Sequence, residues 1–115
     1  MPLHKLANGR TRWTRIVYVV ELDSAVCADG RSPCGGCGRT AVYVGQTCHS
    51  AAERFAQHKA GFKAGWAPKK YGRRLRPDLA GAFGEMNTVA ESMAAEVAVA
   101  NALRARGEFC VYGGH

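Results

Sequence analysis

The chain lacks any apolar run approaching the ~18 residues that a bilayer-spanning helix requires, so a membrane-embedded function is not expected. Its first fifteen residues carry Lys5, Arg10, Arg12 and Arg15 without the apolar stretch of a secretory leader, which points to a cytoplasmic address. Internal repeats, low-complexity tracts and linker-like shifts in composition are all missing, and with them the architectures they would signal. Acids are scarce: nine Asp and Glu stand against sixteen Lys and Arg. None lies in the first twenty residues or between Arg54 and Arg76.

What remains is a chain of 115 residues, 47% apolar and 22% charged, with a formal charge of +7. That composition suits one globular domain over residues 1–115, able to bury roughly two thirds of its unfolded surface. The acid-free window holds eight cations: Arg54, Lys59, Lys63, Lys69, Lys70, Arg73, Arg74 and Arg76. Like charges at this density repel unless a polyanion or solvent screens them. Phe55, Phe62, Trp66 and Tyr71 are interleaved with them and offer flat surface for stacking on bases. The alternative is a solvated basic face with its aromatics turned into the core. Lys59, Lys63, Trp66, Lys69, Lys70, Arg73, Arg74 and Arg76 are the candidate nucleic-acid contacts.

Two β-rich segments, residues 16–22 and 41–44, predict a hairpin. Its connection, residues 23–40, is long for a compact domain and rich in glycine and cysteine. Ser50 with Glu53 forms a capping-box pair that opens a helix over residues 51–62, ending near Gly61 or Gly65. Thr88 with Glu91 opens a second, Ala-rich helix that runs to Arg106 before Gly107. Around Pro77 the chain reads as an edge strand or extended segment, and residues 109–112 read as a short closing strand. The sum is an α+β domain on a small, largely antiparallel sheet.

On the late helix the expected inward stripe is Val89, Met93, Val97, Ala100 and Leu103. Glu96 shares that side, and an inward carboxylate is costly unless protonated, paired or bound to a cation. An ion pair with a core-facing Arg is the simpler explanation; a metal ligand beside a cleft is the sharper one. On the first helix Arg54 and His58 are four apart, so their side chains lie together.

Tyr18, the Tyr43-Val44-Gly45 triplet, Arg54 with His58, and Glu96 together resemble the GIY-YIG nuclease family, over residues 16–112. The stretch 71–79 looks like the third strand of small stand-alone members. Ile16-Val17-Tyr18 stands where the family has its first triplet, without the glycine, and no late asparagine is evident in residues 107–115. The resemblance implies a three-stranded, largely antiparallel sheet flanked by helices. It implies a divalent-metal-dependent endonuclease acting on nucleic acid, DNA more than RNA. Glu96 would hold one Mg²⁺ or Mn²⁺, which keeps most of its own waters. Tyr43 would act as general base toward water and Tyr18 would orient it. Arg54 would clamp the phosphate, and His58 would accept from or position a tyrosine hydroxyl. The alternative on the same fold is a non-catalytic, basic nucleic-acid-binding module.

Five cysteines in a cytoplasmic chain do not suggest a full disulfide framework. Cys34 and Cys37 have zinc-knuckle spacing. With Cys27, and Cys48 or His49 as the fourth ligand, they form a candidate structural zinc site; reduced thiols are the alternative. Cys110 is expected in the core.

Overall fold

The computed structural model describes residues 4–5, 11–12, 14–29, 39–61, 66–81 and 84–113. A short antiparallel ribbon joins β1 (His4–Lys5) to β2 (Thr11–Arg12). The main sheet contains β3 (Ile16–Leu22), β4 (Thr40–Thr47), β5 (Gly72–Leu75) and β6 (Phe109–Gly113), in the order β5-β3-β4-β6. The β3–β4 pair is the expected antiparallel hairpin and β5 adds antiparallel to β3. The sheet is therefore four-stranded and mixed, not three-stranded and largely antiparallel. The closing segment joins it as β6, parallel to β4, with Val42 beside Val111 and Tyr43 beside Tyr112. Four apolar or aromatic residues in a row let β6 be buried on both faces, as a parallel neighbour under helices must be.

Among the described residues three α-helices flank the sheet: α1 (Ala51–Ala60), α2 (Trp66–Tyr71) and α3 (Val89–Ala105). Both capping pairs act as expected. Ser50 Oγ accepts from the Glu53 amide at 3.1 Å, and Thr88 Oγ1 accepts from the Glu91 amide at 3.1 Å. Gly61 ends α1 at φ 85°, a left-handed turn that glycine makes without a Cβ penalty. The helix therefore stops short of residue 62. Helix α2 was not expected; its Pro68 sits in the first turn, where a missing N–H costs little.

Alternation along the strands sorts two cores. Val17, Val19, Val42, Val44, Phe109 and Val111 pack against α3. Tyr18, Val20, Leu22, Ala41, Cys110 and Tyr112 face the opposite layer, where Ala67 of α2 and the half-buried Phe55 of α1 meet them. The inward stripe of α3 is Ser92, Ala95, Glu96, Val99, Ala100 and Leu103. Val89, Met93 and Val97 are instead exposed, at 51%, 48% and 37%. The expected stripe followed the largest side chains, whereas the helix seats close to the sheet through small ones.

Candidate active site

Strand β4 places Tyr43 and Gly45 on the α1 side of the sheet, and antiparallel pairing sets Tyr18 directly opposite Gly45. The Tyr18 ring lies across that glycine: a Cβ on Gly45 would come within 2.6 Å of the Tyr18 hydroxyl oxygen. Glycine ends the Tyr-Val-Gly triplet because the phenol occupies the space of a side chain.

Helix α1 then lays His58 over the two phenols. The Tyr18 Oη to His58 Nε2 distance is 2.6 Å. The His58 ring centroid is 5.8 Å from that of Tyr18 and 5.6 Å from that of Tyr43, and the two tyrosine rings are 6.3 Å apart. His58 is 1% exposed, and among the described residues its Nδ1 has no hydrogen-bond partner. Burial, aided by the Arg54 charge, pushes the imidazole down to about 4, so it is neutral at neutral pH.

Burial raises the Tyr18 phenol well above the ordinary tyrosine range. Tyr43 and Glu96 add to the rise, and Arg54 opposes it by charge and by a side-chain hydrogen bond. The Tyr43 phenol is raised by burial and then by Glu96, against Arg54 and a hydrogen bond with Tyr18. Both phenols therefore sense the same carboxylate and the same guanidinium. Tyr18, Tyr43, Arg54, His58 and Glu96, drawn from β3, β4, α1 and α3, form one electrostatic cluster. Glu96 itself is 9% exposed.

A supporting layer escaped the sequence reading. Arg54 Nη1 donates to Gln57 Oε1 at 3.0 Å, and Gln57 in turn meets His49 Nε2 at 3.5 Å. Arg15 Nε donates to Gln46 at 2.6 Å and to Ser92 at 3.1 Å, tying β3 and β4 to α3 one turn before Glu96. The i, i+3 spacing of Arg54 and Gln57 was a usable signal; the Arg15 network depends on strand pairing.

The described cationic candidates lie on α1, α2 and β5, which pack against one another, with Arg76 just beyond β5. Lys59, Lys69, Lys70, Arg73 and Arg74 are exposed. Lys59 Nζ donates to the Gly72 carbonyl at 2.9 Å, and Lys70 Nζ lies 3.9 Å from Asp29. Arg74 and Arg76 converge on Glu21 at 3.2 and 2.6 Å, and Arg76 also binds Asp78 at 2.8 Å. Arg76 thus serves the fold as a clamp between β3 and the turn after β5. Trp66 and Tyr71 are half-buried against the core, Trp66 standing edge-on to Tyr71 and Tyr112 at 6.3 and 6.0 Å. Lys63 and Phe62 lie outside the described residues.

Of the candidate zinc ligands, Cys27 and Cys48 are buried, and Cys34 and Cys37 lie outside the described residues. Tyr112 Oη lies 3.7 Å from Cys27 Sγ. Among the described residues no group of three His, Cys, Asp or Glu side chains is placed to hold a metal. Glu96 is the carboxylate of this cluster that would hold a cation, with water and a phosphate oxygen available to it as further ligands. That donor set suits Mg²⁺, which binds through one or two carboxylates plus phosphate. Asn101, the nearest asparagine to the missing late position, is exposed on α3 and accepts from Arg104 at 3.3 Å. Among the described residues no helix is long and apolar enough to cross a membrane. No protein-family model, curated protein or solved structure matches the chain.

Proposed function

We propose that this protein is a divalent-metal-dependent endonuclease of the GIY-YIG kind, a cytoplasmic enzyme that hydrolyses phosphodiester bonds, in DNA before RNA. The observation that carries the reading is the packing of two phenols and a buried imidazole on one another, with Arg54 and Glu96 near enough to act on the charge of both phenols. A purely structural core has little use for that set, because each buried polar group costs free energy until it is satisfied.

The chemistry follows from the chain's own groups. Arg54 is held by Gln57 and can present its planar fork to two phosphate oxygens. A phenol with a raised pKa is a poor base alone, so Tyr43 needs somewhere to send its proton. Tyr43 shares a hydrogen bond with Tyr18, and Tyr18 Oη lies 2.6 Å from Nε2 of the neutral His58, so the three groups form a path along which a proton can be relayed. As water attacks phosphorus, Tyr43 takes the water's proton and passes its own to Tyr18, which passes one to His58 Nε2. The phosphate's negative charge beside Arg54 offsets the cation that depresses His58 and favours its protonation. Glu96 would hold Mg²⁺, whose contribution is neutralising charge on the phosphate and leaving oxygens. The P–O bond to the leaving group breaks, the leaving oxygen takes a proton from solvent water, and no covalent protein intermediate forms.

The test is incubation with supercoiled plasmid, branched oligonucleotides and RNA, with and without Mg²⁺ or Mn²⁺. Metal-dependent cutting is expected, lost in Glu96→Gln with nucleic-acid binding retained. Wild-type cutting rates in both Glu96→Gln and Arg54→Ala would sink the assignment. Salt-sensitive binding with no products under any metal would favour the binding-module alternative.

A further inference from the structure

Strand β3 is paired with β5 only over Val20–Leu22. The Arg76 amide makes a last contact with the Val19 carbonyl at 2.8 Å, and the chain then swings away through the turn Pro77–Leu79. It returns at Met86, whose amide and carbonyl bond Arg15 at 2.7 and 2.8 Å. Between those two attachments no described residue pairs with the edge of β3, and a cavity of about 270 Å³ lies there. Ile16, Val19, Leu75, Pro77 and Ala80 supply apolar walls. Among the described residues that line it, Tyr18 is the only one with a polar side chain. The cavity and the candidate active site thus share a residue: where the phenol cluster ends, an apolar slot begins.

We infer that this cavity receives the nucleobase next to the scissile phosphate, swung out of its stack. The inference rests on the nuclease reading and names its substrate class: strands with an unpaired or easily unpaired nucleotide at the cut. A base hangs one sugar away from its phosphate, so a strand clamped at Arg54 has a base within reach of a slot that starts at Tyr18. The volume is below that of a drug-sized pocket and suits one flat heterocycle. Apolar walls reward burial of base faces, and a base inside a duplex cannot enter without unstacking. Among the lining residues described the side chains offer one hydroxyl and no amide or charge, so any reading of a base edge falls to the backbone groups along the β3 edge. Selection is therefore chiefly by unpairing.

The decisive experiment compares oligonucleotides that share one sequence. The first is single-stranded, the second carries one unpaired nucleotide at the cut, and the third is fully paired. A fourth has an abasic residue in place of the unpaired nucleotide. The expected result is a kcat/KM about tenfold higher for the first two than for the third, the lower range of what stacking one base contributes. The abasic strand should lose that advantage. Ala80 has right-handed helical backbone angles, so a larger side chain adds no backbone strain, and because Ala80 also packs against the α3-side core a melting curve first checks that the variant folds. Ala80→Trp should fill the slot and abolish the preference while leaving cutting of the abasic strand unchanged. A second readout needs neither catalysis nor the variant. The methyl resonances of Ile16 and Val19 should shift on titration with the single strand and not with its abasic counterpart. Equal cutting of paired and unpaired strands, or methyl shifts indifferent to the base, overturns the inference and leaves the nuclease reading standing. Base-dependent shifts without cutting of any strand support the slot and overturn the nuclease reading.

Discussion

Protonating His58 should destabilise the fold, and the size of the effect follows from its surroundings. The imidazole is 1% exposed, faces Tyr18 and Tyr43, and lies near the Arg54 guanidinium. Folded, it titrates near 4; unfolded, it should titrate near the ordinary histidine value of about 6.5. The unfolded chain therefore binds more protons between those limits, and stability rises with pH across them. His58 contributes fully above the unfolded value and loses its contribution as pH falls through the folded one. The separation corresponds to about 3 kcal/mol, a large fraction of the stability of a small domain. Urea unfolding of the native chain and His58→Gln, from pH 7 to pH 4, isolates the effect, because glutamine can still meet Tyr18 but does not titrate. Glu21 and Asp78 are held below the ordinary carboxylate range, chiefly by hydrogen bonds from Arg74 and Arg76 respectively. Their contributions persist to lower pH and cancel in the difference between the two proteins. The native protein should lose about 3 kcal/mol more than His58→Gln over that window. Parallel stability curves, or an imidazole resonance that titrates near its ordinary pH, would refute the buried, neutral assignment.

Three further outcomes are expected. Gly45→Ala should cost about 1–3 kcal/mol through overpacking, because the new methyl would meet the Tyr18 ring; calorimetric unfolding with a cleavage assay checks this, and unchanged values would remove the steric argument. Gln57→Ala should lower kcat/KM by about tenfold, one charge-assisted hydrogen bond's worth of positioning at Arg54, with little change in melting temperature. Elemental analysis of purified protein tests the cysteine set Cys27, Cys34, Cys37 and Cys48: one equivalent of zinc supports a stapled loop, and less than about a tenth retires it.

The features legible from sequence were those set by near neighbours. Ser50 with Glu53 and Thr88 with Glu91 fixed two helix starts because a capping box is a contact over three residues. Tyr18 and Tyr43 could be placed on one hairpin because alternation and the Gly45 stop are local. The parallel pairing of β6 with β4 could not be read this way, since it joins segments separated by three helices. Nor could the Glu21 clamp, which needs the β3–β5 register to set Arg74 opposite Glu21. Glu96 was placed inward from a stripe of which Ala100 and Leu103 are indeed buried, but Val89, Met93 and Val97 were assigned by bulk. On a helix that lies close to a sheet, Ser92 and Ala95 fit where Met93 does not.

Strand β4 carries two messages in alternate positions: Val42 and Val44 build one core, while Tyr43 and Gly45 shape the candidate site. An insertion of one residue ahead of Val42 would exchange the two sets, burying a phenol under α3 and turning valines toward His58. Inserting two would restore the parity. Foldability and chemistry are thus written into the same eight-residue strand, and a frame error in it would erase both together.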